Sequence, residues 1–145
     1  ESQHKAQDHF DQWFTSANNF YYLFEQALSK EIYSEAAFQL HQATERYYTT
    51  ILLVFTDYRP KDHNLETLGI KVAMCDKRFA VFPTQTEEEK RLFELLKRAY
   101  IDARYKMEEY YITKGDLEYL SAQVAELQQL TETICLEKIK EIGEC

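Results

Sequence analysis

The chain has 145 residues, of which 45% are hydrophobic and 14% aromatic, and it contains only three glycines and two prolines. Its length is that of one domain, and the scarcity of turn-forming residues favours long helices joined by few turns. The 17 basic and 25 acidic side chains give a formal net charge of −8, which disfavours broad electrostatic binding to duplex nucleic acid or to an anionic membrane but leaves room for a local basic patch.

Two long segments at the start of the chain show the spacing of amphipathic helices. Apolar and aromatic residues recur there at three- and four-residue steps, which predicts one helix from about Asp8 to Leu28 and a second from about Ile32 to Asp57. The second helix should end before Pro60, because proline disfavours helical geometry in the residue before it. The segment 58–63 is therefore predicted to be a connecting turn.

The next part of the chain predicts a short helix followed by an apolar connector. Asp62 or Asn64 can cap a third helix that runs to about Asp76, since both side chains accept hydrogen bonds from first-turn N–H groups. The segment 79–83 reads as a connector packed against the bundle.

A fourth helix is predicted to begin after Thr84 or Thr86, where three glutamates follow in a row. Negative charge stabilises the first turn of a helix, and an inner apolar face then continues as far as Met107. A fifth helix should start at Asp116 and run to about Ile139. Five amphipathic helices with short connections predict an all-α, up-and-down bundle.

The cysteines and the apolar runs indicate a soluble cytoplasmic domain. Cys75, Cys135 and Cys145 are odd in number and show no Cys-x-x-Cys spacing, so neither a disulfide framework nor a zinc site is predicted. The longest apolar run, 51–55, is too short to span a bilayer, and residues 1–9 lack the order of a signal peptide. We therefore expect no membrane association.

No metal site or common catalytic motif is predicted. Glu-x-x-His spacing, which helical metal sites use, occurs only at Glu1 and His4. His41 and Glu45 lie one helical turn apart, but we interpret two such residues alone as an exposed hydrogen-bonded pair. The chain also has no Gly-x-Ser-x-Gly elbow, no Walker loop and no dinucleotide-binding glycine motif.

Basic residues on the predicted fourth helix are candidate phosphate contacts. Lys90, Lys97 and Arg104 follow one another at seven-residue steps, which places them in a line beside the apolar face. Such a line could pair with phosphates, and Arg104 could do so with two hydrogen bonds. The alternative is that these residues form ordinary ion pairs with acidic neighbours on a solvated face.

Three polar residues near the second and third helices have two interpretations each. His63 either hydrogen-bonds and packs at a helix start or contacts a ligand. Gln42 and Glu45 share a polar face of the second helix, where they meet solvent, a dimer mate or a ligand.

The segments Ala36–Glu45, Arg59–Leu68 and Ala99–Tyr105 together resemble the HEPN family of helical domains, and the resemblance extends along essentially the whole chain. It implies a five-helix bundle that pairs as a two-fold homodimer, with an interface cleft used for nucleotides or RNA. Many members of the family work beside a nucleotidyltransferase, as a fused domain or as a toxin or antitoxin partner. Because the chain also begins without methionine, we expect residues 1–145 to be a single domain excised from a longer protein with an N-terminal nucleotidyltransferase.

The family's catalytic motif is degenerate in this chain. Active members are metal-independent RNases that carry an arginine followed, after four to six residues, by a histidine. In one subset a tyrosine that can receive nucleotidyl groups stands two residues after the histidine. Here Arg104 matches the arginine and Tyr111 the tyrosine, but Glu109 occupies the histidine position, and a carboxylate there is normally anionic.

Three functional hypotheses follow from the resemblance. The leading one is a nucleotide-associated binding and dimerisation module that serves a linked or partner nucleotidyltransferase, is not itself an enzyme, and takes no cofactor beyond a nucleoside triphosphate ligand. The second is a toxin-type endoribonuclease whose acid or base has moved to another residue, such as His63, and the third is a purely structural dimerisation domain. The candidate nucleotide-binding residues are Arg104, Lys97, Gln42, Glu45 and His63.

Overall fold

The computed structural model describes residues 2–144, so Glu1 and Cys145, which figured in the predictions above, lie outside it. Within these residues the chain forms helices and no strands, which confirms the all-α prediction. The elements are α1 (Ser2–Ser29), α2 (Tyr33–Thr56), α3 (Leu65–Cys75), a 3-10 turn (Lys77–Phe79), α4 (Glu87–Arg98), α5 (Asp102–Tyr105) and α6 (Lys114–Gly143).

Helices α1, α2 and α6 form the centre of the bundle, with α1 antiparallel to the other two. Near the start of α1, the Lys5 ammonium and the His9 imidazole each lie 2.8 Å from the carboxylate of Asp57, the residue that ends α2. Towards the other end of α1, the Tyr21 hydroxyl donates to the carbonyl of Ser121 at 3.3 Å. Near the start of α1, the Gln3 amide also donates to the carbonyl of Ile139, close to the end of α6, at 3.2 Å. Contacts at both ends of α1 therefore show its direction relative to α2 and α6.

A half-buried polar junction joins the three central helices. The Tyr47 hydroxyl of α2 and the Gln128 amide of α6 both donate to Oδ1 of Asn18 in α1, at 2.6 and 2.7 Å. Tyr47 is completely buried, and its burial raises the pKa of the phenol, so the hydroxyl remains a proton donor.

Helices α3, α4 and α5 pack against α2. The structure also decides between the alternative caps that the sequence offers. The Asn64 side chain, rather than that of Asp62, accepts from the first-turn N–H groups of α3. Thr86, rather than Thr84, forms a capping box with Glu89 at the start of α4. The connector between these helices contains Phe79, which is completely buried.

The fourth helix is shorter than predicted. It ends at Arg98, and after a turn the chain forms the separate helix α5, so the described residues contain six α-helices instead of five. At the turn, the Ala99 N–H donates to the Leu96 carbonyl, three residues back, at 3.2 Å. The Leu95 carbonyl instead accepts from the Tyr110 hydroxyl at 2.6 Å.

Two further predictions about helix limits and faces are corrected. Helix α1 begins at Ser2 instead of about Asp8, because Ala6 and Phe10 pack into the core and extend its buried face towards the N-terminus. Met107 is 61% exposed instead of core-facing, since it follows α5 and not a continuous α4.

Two guanidinium groups lie over the ring of Trp13 on the surface of the bundle. Those of Arg46 in α2 and Arg59 in the connector after α2 are 5.0 and 4.5 Å from the ring centroid. These cation–π contacts attach the connector to the side of α1. Among the described residues, no helix combines the length and the apolar character needed to cross a bilayer.

Candidate functional site

Four side chains from three parts of the chain meet beside the middle of α2. Nδ1 of His63, just before α3, lies 2.7 Å from Oε2 of Glu45, while Nδ1 of His41 lies 3.8 Å from Oε1 of the same carboxylate. The Tyr100 ring, from the turn after α4, stacks on His63 with centroids 4.8 Å apart and planes at 13°. We call His41, Glu45, His63 and Tyr100 the histidine cluster.

The short contact with Glu45 determines how His63 is oriented. Because a carboxylate accepts hydrogen bonds, the ring nitrogen that faces it, Nδ1, carries the hydrogen. Nε2 has no hydrogen-bond partner among residues 2–144, and the side chain is 50% exposed. The cluster therefore holds one accessible imidazole, aligned by a carboxylate on one edge and by Tyr100 on its face.

His41 is the buried member of the cluster. Its side chain is completely buried, and Nε2 has no hydrogen-bond partner. Burial is the main cause that lowers the pKa of His41 from 6.5 to about 3, and the electrostatic interaction with the nearby His63 acts in the same direction. His41 is therefore neutral, and it contributes a flat surface 5.3 Å from the Tyr100 ring.

Glu45 faces the interior of the cluster more than it faces solvent. Its side chain is 12% exposed, and Oε1 is buried without a hydrogen-bond partner. This geometry suits Glu45 to positioning His63 and leaves little of the carboxylate surface for direct ligand contact.

Gln42 and Arg104 extend the site along the same face of α2. The Gln42 amide lies 3.5 Å from Nδ1 of His41, and Phe38 precedes Gln42 by one helical turn. The Arg104 guanidinium lies over the Phe38 ring at 4.6 Å and over Tyr105 at 5.4 Å. Since Phe38 and Glu45 are seven residues apart, Arg104 lies roughly 10 Å along α2 from the carboxylate that holds His63.

Arg104 keeps its hydrogen-bonding capacity free. The residue is exposed, and within the described chain no carboxylate lies within 4.0 Å of its guanidinium. Stacking on Phe38 uses the face of the guanidinium and leaves its N–H edges available to a planar anion.

Lys97 lies apart from the other predicted site residues. Its ammonium is paired with Glu66 at 2.8 Å and with Glu94 at 3.1 Å, and it lines a cleft between α3 and α4. The helix break at 99–101 also separates Lys97 from Arg104. The prediction that Lys90, Lys97 and Arg104 form one line along a continuous helix is therefore wrong.

The other two positions of the degenerate motif are at the surface. Glu109 is exposed and forms no ion pair with Arg104, and Tyr111 is 79% exposed. Tyr111 immediately follows Tyr110, which anchors this segment to α4. The phenol of Tyr111 is therefore accessible to another molecule.

The sequence analysis missed two members of the histidine cluster. The prediction that His41 forms an exposed pair is wrong, because His41 is fully buried. A usable signal was present: Ala37, Thr44 and Tyr48 follow helical steps around His41 and are all buried. Tyr100 falls within the apolar face that the sequence predicts for the fourth helix as far as Met107, but its contact with His63 depends on the turn after α4, which helical periodicity does not reveal.

The described residues contain no group of three or more His, Cys, Asp or Glu side chains placed to hold a metal ion.

No curated protein gave a significant match to the chain. The family model described as "HEPN domain" matches residues 10–134, from the first half of α1 to well within α6. On this match, together with the helical fold, the chain belongs to the HEPN domain family.

Proposed function

We propose that this domain binds nucleotides and dimerises, and that it serves a nucleotidyltransferase that is either part of the same polypeptide or a separate partner. The observation that carries the proposal is the exposed Arg104 guanidinium, stacked on Phe38 and unpaired with any carboxylate of the described chain. Such a group is suited to bidentate contacts with phosphate oxygens. The membership of the chain in the HEPN domain family supports the same reading.

The nucleotide would lie along α2, between Arg104 and the histidine cluster. Its phosphates would contact Arg104, while its base or ribose would meet Gln42 and the half-exposed ring of His63, held in place by Glu45. The distance along α2 is one that an extended nucleotide can cover. Lys97 has no place in this arrangement, because its ammonium is already paired with two carboxylates.

A second copy of the chain would cover the surface beside Arg104. Four large apolar side chains on α5 and its flanks are 46 to 79% exposed: Ile101, Tyr105, Met107 and Tyr111. Exposed apolar side chains gathered in one segment are typical of interaction surfaces. Pairing through this segment would bring the Arg104 of each copy to the dimer interface.

Isothermal titration with ATP, GTP, CTP and UTP tests the nucleotide site. We expect saturable binding of at least one triphosphate, weakened about tenfold to a hundredfold by Arg104→Ala, because one charge-assisted contact is lost. Arg78→Ala is the control, since Arg78 is also exposed but lies in the 3-10 turn after α3, where it is paired with Asp76. Binding that survives Arg104→Ala would refute this site assignment, and no binding at millimolar ligand would leave a structural dimerisation domain.

Sedimentation velocity tests the pairing surface. Met107→Glu should shift the protein from dimer to monomer, because it places a charge in the proposed apolar contact. Met74→Glu changes the same residue type at a position on α3 that is 83% exposed, and it should leave the dimer intact. A wild-type protein that is monomeric at high concentration would refute the pairing.

A second function, RNA cleavage, is favoured by one specific observation. The 2.7 Å contact between Glu45 and His63 is the carboxylate–histidine arrangement that a general base uses. His63 would remove the proton from a ribose 2′-hydroxyl as that oxygen attacks the neighbouring phosphorus. The 5′-oxygen would leave with a proton from water, giving a 2′,3′-cyclic phosphate end.

Mass spectrometry of a short RNA after incubation with the protein tests this alternative. Cyclic phosphate products that disappear with His63→Ala, and decrease with Glu45→Gln, would favour RNA cleavage over nucleotide binding as the function of the site. His9→Ala is the matched control, because His9 forms a similar pair with Asp57 at the C-terminal end of α2. RNA that stays intact with the wild-type protein would exclude this function.

A further inference from the structure

A concave site that does not include His63 in its lining lies between α3, the connector 77–86 and α4. Its volume is about 550 Å³, which is within the range of small-molecule sites. Apolar side chains form most of its walls, including Leu65, Val81, Phe82 and Phe93. We call this site the α3–α4 cleft.

The floor of the cleft contains a hydroxyl without a partner. Tyr48 of α2 lines the cleft although the residue is only 2% exposed, and its hydroxyl has no hydrogen bond to any of residues 2–144. Burial raises the pKa of this phenol, so the hydroxyl stays protonated and can donate. The hydroxyl oxygen is not among the fully buried, unpartnered polar atoms of the described residues, so it opens onto the cleft, where it can donate to a ligand acceptor in place of solvent.

Gly69 keeps the space beside this hydroxyl open. A Cβ atom at this position would lie 3.3 Å from the Tyr48 hydroxyl oxygen, which is a tight contact. Glycine within a helix such as α3 costs about 1 kcal/mol relative to alanine. The residue therefore lowers helix stability and in return leaves room at the floor of the cleft.

The charged residues at the cleft balance one another. Lys97 is paired with Glu66 and Glu94, and Lys90 is paired with Glu87 outside the lining. A charged ligand would have to compete with these ion pairs. A neutral ligand would leave them in place.

We propose that the α3–α4 cleft binds a neutral ring compound that carries a carbonyl oxygen. The ring would pack between Phe82, Phe93 and Leu65, and the carbonyl oxygen would accept a hydrogen bond from the Tyr48 hydroxyl. The cleft is separate from the proposed nucleotide site, because Arg104, Gln42 and His63 are not among the residues that line it.

Amide NMR of the ¹⁵N-labelled chain tests the proposal with two neutral probes, benzamide and 2-quinolinone. We expect saturable shifts confined to residues of the cleft, including Gly69. Benzoate and benzylammonium, which match benzamide in size but carry charge, should bind more weakly. Equal shifts with the charged probes would overturn the assigned ligand class.

Tyr48→Phe removes only the hydroxyl and should raise the Kd for benzamide about threefold to tenfold, the usual effect of one hydrogen bond. Because that hydroxyl is unpartnered in the free protein, the variant should not lower thermal stability. Tyr22→Phe is the matched control at an exposed tyrosine of α1 outside the cleft and should leave the Kd unchanged. An unchanged Kd in Tyr48→Phe would overturn the role of the hydroxyl.

A second variant blocks the cleft without touching the core. Ala80 is exposed at its edge, and Ala80→Trp should abolish the shifts by occupying the apolar walls. Absence of saturable shifts with both neutral probes in the wild-type protein would overturn the proposal. Cleft shifts that appear on raising the protein concentration, without any probe, would assign this surface to a second copy of the chain and would also overturn it.

Discussion

Burial fixes the protonation state of His41 and makes the stability of the protein sensitive to pH. Its pKa is about 3 in the folded protein and 6.5 in an unfolded chain. Between these values the unfolded chain binds a proton that the folded protein does not, so stability falls as the pH falls. From about pH 7.5 to about pH 5 this one residue should remove about 2 kcal/mol from the free energy of unfolding.

Urea denaturation at the two pH values measures this effect when the wild-type protein is compared with His41→Gln. The variant cannot take up the proton, so its loss of stability between the two pH values should be smaller by about 2 kcal/mol. The comparison cancels the contributions of the titratable groups that do not contact His41, which both proteins share. Equal pH dependence in the two proteins would show that His41 is protonated, or not buried, in the folded state.

At the level of single residues, the sequence located part of the candidate site. Glu45 could be proposed as a site residue because it lies on the polar face of the second predicted helix. His63 could be proposed because it lies at the start of the third. That they meet at 2.7 Å depends on how α2 and the start of α3 pack. Lys97 and Arg104 have equivalent positions in the sequence pattern, but the turn between them gives them different neighbours.

The break between α4 and α5 is stabilised by a single buried hydrogen bond. Ala99 does not donate to Leu95, and the Tyr110 hydroxyl satisfies that carbonyl instead. Tyr110→Phe should therefore lower the free energy of unfolding by about 1 to 2 kcal/mol, because it leaves a buried carbonyl without a partner. Thermal unfolding followed by circular dichroism measures the loss.

Tyr111→Phe is the matched control for this prediction. It removes a hydroxyl from the next residue, which is 79% exposed, and should change stability by no more than about 0.5 kcal/mol. Equal effects of the two substitutions would show that the Leu95 carbonyl has another partner, such as solvent.

At the level of elements, the helix starts were more predictable than this break. The caps of α3 and α4 involve only a few adjacent residues, so the sequence reduced the possible cap residue of each helix to two candidates. The segment 99–101 contains no proline or glycine, and its apolar spacing continues without interruption. Tertiary contacts, above all that of Tyr110, override a continuous helical pattern here.

The polar junction at Asn18 holds the whole bundle in register, because it is the point where α1, α2 and α6 share one acceptor. Asn18→Ala should lower the free energy of unfolding by about 2 kcal/mol, since it leaves the buried Tyr47 hydroxyl and the Gln128 amide without that acceptor. Asn19→Ala changes the same residue type at the adjacent, exposed position and should be nearly neutral. Similar melting temperatures for the two variants would refute the structural role of the junction.

For the molecule as a whole, composition and periodicity predicted the all-α bundle, because each long helix carries its own apolar face. Periodicity carries no information about how the faces meet. The contacts of Asn18 and the meeting of α2 with the residues before α3 arise between segments far apart in the chain, which is why the architecture was more predictable than the site.

The two guanidinium groups over Trp13 make this residue a natural optical probe. Trp13 is the single tryptophan of the chain, and Arg59, one of the two arginines, precedes His63 by four residues in the same connector. A movement of that connector would move the Arg59 charge relative to the indole and would therefore change the wavelength and intensity of the indole fluorescence. Rearrangement around His63 can thus be followed in real time by fluorescence, without attaching any label to the protein.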